Sequence, residues 1–131
     1  MTENEDDLRA RVHRWIAAIQ ACDLDGVAAD HADDIVLFDV PPPYDGIRGI
    51  GAYRDSWPMF FEYLAGGALL DLVELNVIAG DSAGFAYGLL RCGTPVELTA
   101  KPERRLRFTI GFRKRDGRWQ VAHEHHSFPM E

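Results

Sequence analysis

The stretch Arg107-Phe108-Thr109-Ile110-Gly111-Phe112-Arg113, followed after a short break by Arg118-Trp119-Gln120-Val121-Ala122-His123-Glu124-His125-His126, decides how this 131-residue chain reads. In the first run the even positions are apolar and the odd ones polar or small, a period of two that marks a strand with one core-facing side. Asp116-Gly117 between the runs is a hairpin signal, because these residue types tolerate the positive φ that a tight turn demands. Two antiparallel strands are therefore expected, Arg104 to Arg115 and Arg118 to His126. If Trp119 and Val121 share the inner side with Phe108 and Ile110, His123 and His125 extend that row to the rim of the core. A single β-bulge would turn Glu124 and His126 inward instead.

Upstream of the hairpin, Leu69 to Ala79 and Ser82 to Arg91 read as two more strands joined at Gly80-Asp81. The N-terminal part is helical. Leu8, Val12, Trp15, Ile16 and Ile19 occupy one face of a first helix, with Thr2 and Glu5 at capping-box spacing. Asp23 is placed to cap a short second helix on whose stripe Leu24, Val27, Ala28 and His31 fall. Ile35 to Phe38 is an early strand ending at Asp39, and Pro41 to Pro43 break the chain after it. A third helix carries Ile50, Tyr53, Trp57 and Phe60 or Phe61, and Pro58 should kink or split it. Helices first and a strand meander afterwards predict an α+β fold, with the helices packed on one face of a curved antiparallel sheet.

The length suits one domain over residues 1–131. With 47% hydrophobic and 27% charged residues the chain has enough apolar material for a core. The net charge is −7 but uneven: residues 1–45 hold 3 basic against 11 acidic side chains, and residues 101–131 hold 8 against 4. An acidic whole argues against nucleic acid as a partner, since phosphate neutralisation needs a basic excess. Cys22 and Cys92 have no redox or metal spacing and are expected to be reduced thiols. An acidic N-terminus and the lack of any apolar run of about 18 residues predict a cytoplasmic protein with no membrane partner.

Two places carry candidate chemistry. His123 and His125 would put two imidazoles at the rim, as hydrogen-bonded core residues, as catalytic groups, or as two ligands of a metal whose third ligand the sequence does not specify. No metal and no cofactor is therefore expected. Asp39, at the end of a buried strand, is either a turn cap or a general base whose pKa burial raises, unless a histidine cation nearby reverses the sign. His31 reads as a satisfied core histidine. Tyr53, Trp57 and Phe60 have the spacing of core residues and equally that of a ligand cage.

The hairpin from Arg107 through His126 to Ser127, Phe128 and Pro129 resembles the SnoaL-like branch of the nuclear-transport-factor-2-like (NTF2-like) superfamily. Its Trp, His, His, Ser and Pro spacing is also similar to the association domain of calcium/calmodulin-dependent kinase II. The segments Arg14-Trp15-Ile16 and His31-Ala32-Asp33-Asp34, with Asp39, resemble the opening of bacterial ketosteroid isomerase without a gap. The resemblance implies a cone-shaped, cystatin-like α+β fold with a pocket at its wide end, and a homodimer formed through the sheet. It matches Asp39 to the isomerase's general base. It also implies that the isomerase's oxyanion stabilisation is missing, because Trp15 stands at the tyrosine position and Thr109 or Phe108 at that of the protonated aspartic acid. Ile110 stands where the association domain has a pocket arginine, for which Arg91 or Arg107 are the available substitutes.

Two functional readings follow. In one, the protein is a small enzyme (an isomerase, cyclase, dehydratase or hydrolase) acting on a hydrophobic, oxygenated small molecule, with Asp39 as base, His123 or His125 as its partner, and Trp15, Tyr53, Trp57, Phe60 and Tyr87 shaping the pocket. In the other it is a non-catalytic dimeric module that binds a ligand or assembles through the same cone.

Overall fold

The computed structural model describes residues 2–131. Helix α1 (Glu3–Gln20) opens on the expected capping box: Thr2 accepts from the Glu5 amide and the Glu5 carboxylate accepts from the Thr2 amide, each near 3 Å. Its buried residues are Leu8, Val12, Trp15, Ile16 and Ile19, the stripe read from the sequence. Helix α2 (Leu24–Ala28) is capped by Asp23, whose carboxylate accepts from the Gly26 amide at 3.1 Å. The helix stops before His31, which opens strand β1 (His31–Phe38) instead of closing the helical stripe.

Strand β1 starts earlier than the apolar run Ile35 to Phe38 suggests. Asp33 and Asp34 are both exposed within it, where the pairing register with the neighbouring strand shifts between His31 and Val36. A short edge strand β2 (Ile47–Arg48) follows the proline segment. Pro58 splits the third predicted helix into α3 (Ile50–Asp55) and α4 (Pro58–Ala65), standing in the first turn where its missing amide costs nothing. Next come β3 (Leu69–Ala79), β4 (Ala83–Gly93), α5 (Pro95–Ala100), β5 (Leu106–Arg115) and β6 (Arg118–Ser127). Helix α5 occupies a segment for which the sequence pattern predicts no element, yet Thr94 and Glu97 form a second capping box around Pro95.

The strands form one sheet in the order β2-β1-β6-β5-β4-β3. All neighbours are antiparallel except β1 and β6, which run parallel, so the early strand joins the sheet across the hairpin. Asp116 and Gly117 both have positive φ, 51° and 76°, as a two-residue turn of this kind requires. Only glycine fits at position 88, where a Cβ would lie 2.2 Å from the Glu74 carbonyl and 2.8 Å from the Phe108 ring, beside the register shift in β3. The inner face carries Ala86, Leu90, Leu106, Phe108, Ile110, Phe112, Trp119 and Val121 against the α1 stripe. The outer face has no helix over it and leaves Val73, Ile78, Phe85 and Tyr87 exposed. Among the described residues no helix is long and apolar enough to cross a membrane.

Candidate functional site

A bulge in β6 determines which side chains reach the interior. Gly111 pairs with His123 and Phe112 with Val121, so Ala122 is an extra residue on β6. Trp119 and Val121 face inward before it, and Glu124 and His126 face inward after it. This corrects the expectation for His123 and His125, which the bulge turns to the outer face. His123 Nδ1 contacts the Val36 carbonyl at 2.7 Å, His125 is exposed, and both rings meet the Phe38 ring edge-on.

Helices α1, α4 and α5 and the inner face of the sheet enclose a cavity of about 420 Å³. Its wall is mostly apolar, with Trp15, Trp57, Phe60, Leu70, Leu90 and Leu106 prominent. Asp39 and His126 supply polar groups on the β1–β6 side, and Tyr63, Glu97 and Arg104 supply them on the β4–β5 side.

Behind Asp39 runs a chain of alternating charges. Asp39 Oδ1 accepts from the Val40 amide at 2.8 Å and lies 3.4 Å from His126 Nδ1. His126 Nε2 donates to Glu124 Oε1 at 3.1 Å. The other oxygen of Glu124 accepts from the Tyr53 hydroxyl at 2.8 Å and from His31 Nε2. His31 Nδ1 lies 2.9 Å from the Ala29 carbonyl, and Trp15 Nε1 donates to the Tyr53 oxygen at 3.2 Å. Both nitrogens of His126 face carboxylates, and both nitrogens of His31 face oxygen acceptors, so each ring is fully satisfied only as an imidazolium.

The electrostatics agree with that geometry. Burial alone would lower the pKa of His126, but Asp39 and Glu124 overcome it and raise the value to about 9. His31 is likewise pulled down by burial and lifted above its ordinary value by Glu124. Glu124 is wholly buried, which would raise its pKa, yet the two imidazoles drive it down to about 2. Burial and the Glu124 charge push the Tyr53 hydroxyl far up, so it stays a neutral donor. At Asp39 a neighbouring histidine cation reverses the sign that burial would give: desolvation raises its pKa, but His126 and the Val40 amide outweigh it and hold the carboxyl below its usual value. Trp15 and Trp57 pack against the His126 ring, with centroids 5.9 and 6.2 Å away.

Of the residues singled out from sequence, Asp39, Trp15, Trp57 and Phe60 line the cavity. Tyr53 is fully buried behind it and serves Glu124. Tyr87 lies on the outer face, stacked on Phe85, because odd positions of β4 point away from the helices. The same parity carries Arg91 outward, and the β5 alternation carries Arg107 outward, where its Nε donates to Ser127 Oγ at 3.2 Å. Ile110 is core, 1% exposed, and touches only a separate cavity of about 40 Å³ beside His31. Thr109 faces outward and Phe108 inward, so neither brings an acid to the large cavity. Glu124, His126, Tyr63, Glu97 and Arg104 were not selected from sequence as site residues. Among the described residues no group of three metal-ligating side chains is arranged to hold an ion.

The SnoaL-like domain family matches residues 8–131. Among solved structures the chain is similar to an NTF2-like protein of unknown function from Pseudomonas putida KT2440, at 33% identity and a TM-score of 0.87, covering 100% of this chain and 90% of that one. It is similar in fold to a candidate ketosteroid isomerase from Shewanella frigidimarina, at 18% identity and a TM-score of 0.74, covering 90% of this chain and 92% of that one. The same holds for a candidate calcium/calmodulin-dependent protein kinase II association domain from Xanthomonas campestris, at 21% identity and a TM-score of 0.73, covering 95% and 87% of the two chains. No curated protein matches the chain.

Proposed function

This chain belongs to the SnoaL-like domain family, with the NTF2-like, cystatin-like fold, and from that premise we propose that it binds a small, largely apolar, oxygenated molecule in its cavity and moves a proton on it. The observation that carries this reading is the Asp39–His126 pair, 3.4 Å apart on the wall of one open, apolar cavity. Oδ1 of Asp39 is engaged by the Val40 amide and His126, which leaves Oδ2 for the ligand.

The chemistry follows from the charges. Asp39 takes a proton from the bound molecule at Oδ2, and its negative charge passes to an oxygen of the ligand. His126, kept cationic by Glu124, stands beside the charge before and after the transfer, so the step moves an anion along a fixed cation and creates no new buried charge. The partner role falls to His126, in place of His123 or His125. A carboxyl held below its usual value is a weak base, so the substrate must carry an acidic proton, such as one next to a carbonyl.

The same lowered pKa supports the second reading, a binding module in which Asp39 only accepts a ligand hydroxyl. Deuterium uptake separates the two: the wild-type protein in D2O is incubated with a panel of apolar ketones and followed by mass spectrometry. Label entering a bound ketone supports proton transfer. Tight binding without label supports the module.

The outer sheet face, with Val73, Ile78, Phe85 and Tyr87 exposed and no helix over it, supports a homodimer through the sheet.

A further inference from the structure

The β4–β5 side of the cavity holds a cation placed to receive a ligand. Arg104 is fixed by two contacts: its Nε donates to the Cys92 carbonyl at 3.1 Å, and its guanidinium carbon sits 4.1 Å above the centre of the Phe128 ring. Both contacts use the inner part or the face of the guanidinium. Nη1 and Nη2 have no hydrogen-bond partner among the described residues, and the side chain lines the cavity. An arginine cannot shed its proton, so a ligand that fills the cavity and excludes water must offer acceptors to those two nitrogens or leave the charge uncompensated.

The neighbouring acid does not fill that role. Glu97 Oε1 accepts from the Thr94 amide at 2.8 Å, as part of the α5 capping box, and from the Tyr63 hydroxyl. It is tied to its own helix and forms no ion pair with Arg104, although the two charges feel each other. Its presence restricts what can bind. One negative charge already stands near Arg104, so a monoanion is favoured over a dianion such as a phosphate monoester.

We propose that Arg104 binds a carboxylate of the ligand through its two terminal nitrogens, so that the molecule taken up is an apolar acid whose reacting group lies at the far side of the cavity, beside Asp39. Asp39 and Arg104 line the same cavity, so one ligand can reach both. This assignment rests on the cavity reading given above and deepens it.

The test uses phenyl ketones that carry a terminal carboxylate at increasing chain length, with their methyl esters, titrated into the full chain by calorimetry. The wild type is expected to bind the best acid about 10- to 100-fold more tightly than its ester. In Arg104→Gln that preference disappears while the ester binds as before. Arg104→Lys, which keeps the charge but not the fork, retains a reduced preference. Arg91→Gln, on the outer face, leaves it unchanged. Equal binding of acid and ester by the wild type overturns the Arg104 assignment and leaves the cavity reading standing. So does a preference that survives in Arg104→Gln. Failure of every acid and ester to bind overturns both.

Discussion

The Tyr53 hydroxyl donates to Glu124 Oε2 at 2.8 Å, linking α3 to the inner face of β6 across 71 residues of sequence. Neither group touches the cavity, yet Glu124, together with Asp39, holds the charge of His126, which does. The phenol also receives Trp15 Nε1, so one oxygen joins the first helix, the third and the sheet. Tyr53→Phe removes a donor from a wholly buried carboxylate and an acceptor from a buried indole. Its expected cost is about 2–3 kcal/mol, read by urea unfolding. A loss below about 0.5 kcal/mol would mean that water replaces the hydroxyl.

Glu124→Gln is predicted to destabilise the protein by about 3–5 kcal/mol near neutrality, because two buried imidazoliums lose their shared anion. The pH dependence has a definite sign. His126 is raised on folding from 6.5 to about 9, so its contribution is complete below pH 6.5 and is lost as pH climbs through about 9. Glu124 is lowered from 4.5 to about 2, so its contribution is complete above pH 4.5 and is lost as pH falls through about 2. Thermal melts of the wild type should peak between pH 4.5 and 6.5 and decline toward pH 9. The gap to Glu124→Gln should narrow over the same alkaline range. A gap that stays constant from pH 6 to 10 would contradict the imidazolium assignment.

Much of this arrangement was legible before the structure. The even-position alternation of Phe108, Ile110 and Phe112, the Asp116-Gly117 turn, the Thr2 capping box and the split at Pro58 are local signals, and local physics fixed each of them. The position of His126 was not local. It depends on the bulge at Ala122, which arises where β6 pairs with β5 on one side and in parallel with β1 on the other, and one extra residue exchanges His123 and His125 for Glu124 and His126. With histidines at both odd positions (His123, His125) and an even one (His126), either parity puts imidazole inward, and the sequence is ambiguous at that point. Arg104 reads from sequence as the first residue of a strand, which the structure starts only at Leu106, leaving Arg104 in the loop that bounds the cavity; the helix before it has in Thr94-Pro95-Val96-Glu97 a start of the same kind as the one at Thr2. Arg91 and Arg107, the substitutes for the pocket arginine that the resemblance implies, both face outward by strand parity.

The outer face of the sheet makes its own prediction. Phe85 and Tyr87 are stacked and each is 41% exposed, and a partner copy would bury them. Sedimentation should give a dimer for the wild type at micromolar concentration and a folded monomer for Tyr87→Arg. A wild-type monomer would refute assembly through this face.

In the proposed reaction Asp39 takes the proton and His126 steadies the charge. Asp39→Asn keeps the shape and the Val40 turn, since an asparagine oxygen can accept from the same amide, but it cannot take up a proton. The most direct measurement is deuterium uptake into a ketone bound in the cavity, followed side by side in wild type and Asp39→Asn, with the affinity of each for that ketone. Affinity is expected to stay within about threefold of wild type, and uptake to slow by at least about 100-fold in the variant. Uptake by Asp39→Asn at the wild-type rate would contradict it.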